Sequence, residues 1–217
     1  MILSTDTAAK VGEFLLDAKA VILRPEDPFT WASGWKSPIY CDNRKTLSYP
    51  AARTFIRNAM VEAIKQQFGT PDVIAGVATG GIAQGALVAQ EMELPFIYIR
   101  SKAKGHGLTN AIEGTYEPGQ KVVVIEDLVS TGGSSLKAVE ALREAGCEVV
   151  GMVAIFTYGF QIAEDNFTNA NVSLVTLSDY HNMLQLALQR GTITEADVAS
   201  LSEWRNAPQL WRQPQNS

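Results

Sequence analysis

The fold is decided by the stretch VVVIEDLVSTGGS at residues 122–134. Its first four residues are apolar and predict a buried β-strand, and the carboxylates Glu126 and Asp127 follow where we expect that strand to end. The glycine- and hydroxyl-rich residues 130–134 then lead into a helix that is predicted to start near Ser135. Such a turn presents unpaired backbone N–H groups and the positive end of a helix dipole, which suits a phosphate group.

Apolar runs of similar length recur on both sides of this strand, and helical patterns separate most of them. The predicted helices include residues 81–92 and 134–145, and two more short helices follow residue 180. Near-continuous apolar strands that alternate with helices predict an α/β fold, a doubly wound, mostly parallel sheet flanked by helices, with its core at residues 70–180. In such sheets ligands bind beyond the carboxyl ends of the strands. The runs are DVIAGVA (72–78), PFIYI (95–99), KVVVI (121–125), EVVGMVAIF (148–156) and VSLVTL (172–177).

The residues before this core form an N-terminal addition, which is predicted to span residues 1–45. Residues 6–20 have the apolar spacing of an amphipathic helix, and residues 29–41 are predicted to form two short strands around a Ser-Gly turn. A second helix is predicted over residues 49–68. The whole chain of 217 residues is therefore expected to be one domain.

Composition excludes several classes of protein. With 46 % hydrophobic and 19 % charged residues the chain is not intrinsically disordered, and 217 residues are too few for a fused (β/α)₈ barrel, which alone needs about 250. No apolar run reaches the ~18 residues of a membrane span, and the first ten residues lack the pattern of a signal peptide, so we expect a cytoplasmic protein with no membrane partner. The net charge of −5 argues against nucleic-acid binding, and Cys41 and Cys147 are too few for a zinc site or a disulfide framework.

One segment of this acidic chain is basic. Residues 100–110, RSKAKGHGLTN, carry Arg100, Lys102, Lys104 and His106 and no acid. A basic loop with glycines on an otherwise acidic protein indicates a small anionic ligand rather than a polymer.

Two turns in the predicted core have the composition of anion sites. The carboxylates within residues 122–134 would repel a phosphate bound directly to them, so we expect them to bind sugar hydroxyls or a metal ion one step along the ligand. The stretch then indicates a ribose 5-phosphate site, although an ordinary strand–helix turn with surface acids and capping residues has the same pattern. Thr79, Gly80 and Gly81 are either a second anion-binding turn or only a tight connection. The sequence has no G-x-x-x-x-G-K-[ST] motif, which excludes a P-loop nucleotide hydrolase.

The stretch 122–134 resembles the signature of type I phosphoribosyltransferases, which bind 5-phosphoribosyl-1-pyrophosphate (PRPP). The loop RSKAKGHG (100–107) and the segment FTWASGWKSPIYCDNR (29–44) are similar to those of the orotate-specific branch, and this likeness covers essentially the whole chain. The resemblance implies transfer of ribose 5-phosphate from PRPP to orotate, giving orotidine 5′-phosphate and pyrophosphate, in the de novo synthesis of UMP. It also implies Mg²⁺ bound mainly through PRPP, and a homodimer whose active site is shared between the chains.

The same resemblance assigns roles to individual residues. Glu126 and Asp127 match the acid pair that holds the ribose hydroxyls, and residues 29–44 match a hood over the base. Catalytic roles fall on Lys104, Asp127 and Glu126. Substrate-binding roles fall on Leu128 and Val129, and on Ser130, Thr131, Gly132, Gly133 and Ser134 around the 5′-phosphate, where Ser130 also matches a residue that touches orotate. They fall likewise on Thr79, Gly80 and Gly81 at the pyrophosphate, and on Arg100, Lys104 and His106, which reach the pyrophosphate of the neighbouring subunit.

Four positions depart from some members of the family. Ala32 and Gly80 stand where the hood and the pyrophosphate turn can carry lysines, Tyr158 stands where an arginine can meet orotate, and Ser101 replaces a basic residue. Lys36 and Arg44 are therefore our candidates for the orotate carboxylate, with Tyr158 as a neutral contact. The alternatives are a purine or uracil phosphoribosyltransferase, or a nucleotide-sensing regulator without catalytic activity on the same fold.

Overall fold

The N-terminal segment folds into helices and two small antiparallel strand pairs. The structure is a computed structural model and describes residues 1–30, 36–101 and 111–212. In chain order the segment contains α1 (Thr5–Asp17), β1 (Val21–Leu23), β2 (Phe29–Thr30), β3 (Lys36–Ser37), β4 (Ile39–Cys41), a 3₁₀ helix (Asn43–Ser48) and α2 (Pro50–Gln67). β1 pairs with β4 and β2 pairs with β3. The turn predicted between β2 and β3 lies outside the described residues.

A six-stranded sheet follows and carries the rest of the fold. Its elements are β5 (Val73–Val77), α3 (Gly80–Met92), β6 (Phe96–Ile99), β7 (Ile112–Glu113), β8 (Lys121–Val129), α4 (Gly133–Glu144), β9 (Glu148–Thr157), α5 (Gln161–Asn169), β10 (Leu174–Asp179), α6 (Tyr180–Gln189) and α7 (Glu195–Asn206). The strand order is β10-β9-β8-β5-β6-β7, and every pairing is parallel except that of β7 with β6. The prediction of a doubly wound, mostly parallel sheet is confirmed.

The two faces of the sheet are covered by separate apolar clusters. One joins α1, α2, α6 and α7 to the sheet, and the other packs α4 and α5 against the opposite face. The strand residues alternate between the two clusters, as Val123 and Ile125 belong to the first, and Val122 and Val124 to the second. Burial on both faces explains why these strands appear in the sequence as continuous apolar runs.

The prediction that β8 ends before the acid pair, Glu126 and Asp127, is wrong. β8 continues to Val129 because β9 runs alongside it, and Glu126 is paired with Ala154 and Leu128 with Phe156. The acid pair therefore lies on a hydrogen-bonded strand rather than in a loop, which restricts its backbone.

The C-terminal helices close an aromatic cluster beside β9. Trp204 of α7 is fully buried, and its ring lies 5.6 Å from that of Tyr158, 5.5 Å from that of Phe160 and 5.5 Å from that of Tyr180. The Arg212 guanidinium donates a hydrogen bond to the Pro25 carbonyl at 2.7 Å, which joins the end of the described chain to the N-terminal segment.

The opposite edge of the sheet, where the parallel strands begin, is made of short connections. Gly69 and Gly119 lie in two of these, and neither has another atom within reach of an added Cβ. Among the described residues, no helix combines the length and hydropathy needed to cross a membrane.

Candidate functional site

The main pocket lies where β5 and β8 end, and it has a volume of about 390 Å³. Two turns of the core and one part of the N-terminal segment line it. The lining residues are Cys41, Asp42, Arg44, Val77, Ala78, Thr79, Gly80, Glu126, Asp127, Leu128, Ser130, Thr131, Gly132, Gly133, Ser134 and Ser135. The topology thus brings the stretch 122–134 and the turn at 79–80 to one site, as expected at the carboxyl ends of parallel strands.

Glu126 is buried and held in one orientation. Its side chain accepts a hydrogen bond from the Ser135 hydroxyl at 2.8 Å (Oε2) and another from the Asp127 backbone N–H at 3.0 Å (Oε1), and the residue is only 5 % exposed. Burial, and secondly the negative charge of Asp127, raise the pKa of Glu126 to about 8. Each carboxylate oxygen keeps a lone pair for one further donor, so Glu126 can bind a hydroxyl group of a ligand.

Two other parts of the chain contact Asp127. The buried Asn43 side chain donates a hydrogen bond from Nδ2 to the Asp127 carbonyl at 2.6 Å, which ties the N-terminal segment to β8. The Asp127 carboxylate lies against Gly80, and a Cβ at Gly80 would overlap it. A Cβ at Gly81 would overlap the Ile125 carbonyl. The start of α3 therefore packs directly on the end of β8, and a Cβ at either glycine would force a neighbouring group to move.

The residues 130–134, which we call the cradle, turn the chain from β8 into α4. Gly132 adopts a left-handed conformation (φ +82°), and α4 begins at the next residue without a hydrogen bond from a capping side chain. Because the first-turn residues Gly133, Ser134 and Ser135 line the pocket, uncapped N–H groups of α4 are available there, and Ser130, Thr131 and Ser134 add hydroxyl-bearing side chains to the lining. The Asn166 amide donates to the Thr131 carbonyl at 2.9 Å and fixes the cradle to α5. This geometry suits a phosphate group.

Comparison with known proteins bears on this site. The model of the phosphoribosyl transferase domain family matches residues 47–190. An orotate phosphoribosyltransferase of Bacteroides thetaiotaomicron is 61 % identical over 200 residues, which cover 92 % of this chain and 94 % of the relative. This chain belongs to the orotate phosphoribosyltransferase family.

Two solved structures share the fold with this orotate phosphoribosyltransferase family member. The orotate phosphoribosyltransferase of Aeropyrum pernix has a TM-score of 0.73 and 27 % identity, over 84 % of this chain and 99 % of that one. The UMP synthase of Leishmania donovani has a TM-score of 0.75 and 32 % identity, over 91 % of this chain and 42 % of that one. The predicted family is confirmed.

Most of the residues predicted for the substrate line the main pocket. Gly81 is buried and does not line it, and two further residues lie in the apolar core instead. Val129 is fully buried in the core, and its carbonyl accepts hydrogen bonds from the Tyr158 N–H and the Thr157 hydroxyl. Tyr158 is 4 % exposed and packs in the aromatic cluster around Trp204, where burial raises the pKa of its hydroxyl. Because apolar packing holds these side chains in the core, the structure does not support direct substrate contacts by either.

The predicted cations are spread over several places. Arg44 lines the main pocket and donates to the Asp42 carboxylate at 2.7 Å, whereas Lys36 donates to the Thr30 hydroxyl at 2.8 Å and lies outside that lining. Arg100 makes an ion pair of 3.1 Å with Glu113 and borders a smaller neighbouring cavity. Lys104, His106 and Ala32 lie outside the described residues, so the roles given to them stay predictions.

The sequence alone did not identify three residues that contribute to this region. Ser135 and Asn43 act on the acid pair, and their polarity gave no signal because hydroxyls and amides are common in turns. The third, Arg205, lies near the end of α7 and lines a cavity that Ser130 also lines, although 75 residues separate the two in the sequence. No local pattern could have linked it to the signature.

The oxygen ligands present fit magnesium. Among the described residues no group of three or more His, Cys, Asp and Glu side chains could enclose a metal ion. The main pocket does contain the carboxylates of Asp42, Glu126 and Asp127. Mg²⁺ typically binds through one or two carboxylates together with substrate phosphates and water, so this donor set agrees with an ion that arrives with a phosphorylated substrate.

Proposed function

We propose that this protein transfers the ribose 5-phosphate group of PRPP to orotate, giving orotidine 5′-phosphate and pyrophosphate, as a step of UMP synthesis. The observation that carries the proposal is that the acid pair, the cradle and the turn at 79–80 line one pocket. The chain that forms this pocket is about 60 % identical to relatives named orotate phosphoribosyltransferase. A phosphate site next to carboxylates that bind hydroxyls matches the two ends of a phosphorylated ribose.

Each part of the pocket then has a task in the reaction. The cradle binds the 5′-phosphate through backbone N–H groups, and the carboxyl groups of Glu126 and Asp127 form hydrogen bonds with the ribose hydroxyls. When the bond from C1 to pyrophosphate breaks, positive charge develops on the sugar, and the nearby Asp127 carboxylate stabilises it. The turn at Thr79–Gly81 receives the pyrophosphate.

Three further features belong to the proposal. The pocket carboxylates would hold Mg²⁺ together with the substrate, and the bound ion would supply positive charge for the leaving pyrophosphate. The protein acts as a homodimer in which Arg100, Lys104 and His106 of one chain serve the pocket of the other. Its location is the cytoplasm. The basic composition of residues 100–110 supports the shared site of the homodimer, because a leaving group with several negative charges needs cations close by.

Conversion of substrate tests the proposal directly. The protein is incubated with PRPP, Mg²⁺ and one base at a time, namely orotate, uracil or adenine, and the nucleotide formed is measured by chromatography. We expect orotidine 5′-phosphate from orotate, and for uracil a kcat/KM at least about 30-fold lower, because a site built for a carboxylate loses about 2–5 kcal/mol without it. Comparable kcat/KM for uracil or adenine would assign the alternative transferase. No nucleotide with any base would favour the regulator.

A further inference from the structure

A second cavity lies on the other side of the cradle and is not part of the main pocket. It has a volume of about 420 Å³, and we call it the Arg205 cavity. Ser130 and Thr131 line both spaces, so the two are neighbours across the first residues of the cradle. The remaining walls come from the start of α5, which follows β9, and from the end of α7. A cavity of this size is in the range of small-molecule sites.

The lining of the Arg205 cavity is suited to a planar anion. Among the described residues that line it, Arg205 is the only one with a charge, and no carboxylate of the described chain lies within ion-pair distance of its guanidinium. The guanidinium donates one hydrogen bond, to the Gly159 carbonyl at 2.6 Å, and keeps further N–H donors for a ligand. Phe160 offers an aromatic wall, and the Asn206 amide can meet the polar edge of a ring, as can the Gln161 amide oxygen, whose neighbouring Nε2 donates to Asp165.

The position of the cavity in the strand order fits the geometry of the transfer. The turn at 79–81 follows β5, the acid pair lies on β8, and Phe160 and Gln161 follow β9, which is the neighbour of β8 on the side away from β5. In a displacement at the ribose C1, the incoming base and the departing pyrophosphate occupy opposite sides of that carbon. With pyrophosphate on the β5 side, the base approaches from the β9 side, where the Arg205 cavity lies.

We propose that Arg205 is the specificity-determining residue of the transfer, and that it binds the carboxylate of the pyrimidine in the Arg205 cavity. This inference rests on the proposed function and names the residue that selects its acceptor. Arg205 thereby replaces Lys36 and Arg44, the residues that the sequence suggested for the orotate carboxylate. The Arg44 guanidinium is already neutralised by Asp42, and Lys36 lines neither of the two cavities.

The test compares Arg205→Gln with a matched arginine variant. Glutamine removes the charge but keeps an N–H donor for the Gly159 carbonyl. Arg143→Gln is the control, because the Arg143 guanidinium also donates to backbone carbonyls, those of Ala170 and Asn171, and lines neither cavity. We expect Arg205→Gln to raise the KM for orotate by about 30-fold or more and to lower the preference for orotate over uracil by a similar factor. The KM for PRPP stays within about twofold, Arg205→Lys restores part of the preference, and Arg143→Gln changes none of these values.

A second variant tests the cavity without removing the arginine. Ile162 lies at its rim and is 54 % exposed, so Ile162→Trp narrows the opening at little cost in stability. We expect a higher KM for orotate and an unchanged KM for PRPP. If the wild-type protein converts orotate while Arg205→Gln and Ile162→Trp both keep its KM and its preference, the inference is wrong and Arg205 only anchors Gly159. If the wild-type protein converts no base, the proposed function fails first.

Discussion

Replacing Gly80 with alanine tests how closely the turn after β5 packs against the acid pair. The new methyl group would lie well inside van der Waals contact with Cγ and both oxygens of the Asp127 carboxylate. Ordinary contact begins at 3.4 Å, so the carboxylate has to move by about 1 Å. A displacement of that size at a reacting centre costs on the order of 100-fold in rate. We therefore expect kcat/KM for PRPP to fall about 100-fold in Gly80→Ala.

The stability of the same variant should change little. The atoms in the way are the end of a side chain that can rotate, and alanine gains about 0.4–1 kcal/mol over glycine from the unfolded state. Gly81→Ala is the matched comparison, because its methyl group would overlap the Ile125 carbonyl, which belongs to the backbone of β8 and cannot rotate away. We expect the second variant to lose about 3 kcal/mol, or roughly 6–12 °C in Tm.

Two measurements decide the outcome. Initial rates with varied PRPP give kcat/KM, and thermal unfolding followed by circular dichroism gives Tm for the wild-type protein and both variants. A Gly80→Ala protein with wild-type kcat/KM would show that the position of the Asp127 carboxylate is unimportant. Equal losses of Tm in the two variants would contradict the difference between side-chain and backbone overlap.

Three other predictions follow from the site. The free energy of unfolding should decrease as pH rises from 4.5 to about 8, because folded Glu126 keeps a proton that the unfolded carboxyl has released. Urea titrations at pH 5 and 8.5 should show a smaller decrease in Glu126→Gln than in the wild-type protein. An equal decrease would refute the claim that burial raises the pKa of Glu126. EDTA should abolish turnover and added Mg²⁺ should restore it, whereas full activity in EDTA would remove the metal from the proposal. Asp127→Ala and Lys104→Ala homodimers should each be nearly inactive, and a mixture that has exchanged subunits should regain roughly a quarter of wild-type activity, since about half the dimers then contain one intact site. Folded and exchanged mixtures that stay inactive would mean that residues 100–110 serve their own chain.

The sheet could be predicted because its strands are buried on both faces. Such strands leave continuous apolar runs in the sequence, and the five predicted core runs correspond to β5, β6, β8, β9 and β10. The exact end of β8 could not be predicted, because it depends on the length of its neighbour β9. Glu126 and Asp127 are polar and were expected beyond the strand, yet pairing with β9 carries the strand past them. Local composition does not report such pairing between distant segments.

The site was predictable only where it is contiguous. The cradle and the acid pair occupy one stretch of sequence, so their residue types alone indicated a phosphorylated sugar. Asn43 and Arg205 reach the same region from 84 and 75 residues away, and their contacts exist only in the folded chain. Tyr158 shows the opposite error. It was expected to contact orotate because it stands where members of the family can carry an arginine, but the packing of Trp204 against its ring buries it.

The short connections at the amino ends of the strands give the molecule a handle for attachment. Those groups proposed to act on substrate that the structure describes lie at the other edge of the sheet, so a fluorophore or a surface linker near Gly69 or Gly119 would leave the main pocket clear. Thiol chemistry suits this purpose, because burial raises the pKa of both native cysteines, Cys41 and Cys147, and keeps them poorly reactive. A single cysteine introduced beside Gly119 would therefore be labelled first, and the immobilised protein would present its reactive edge to solution.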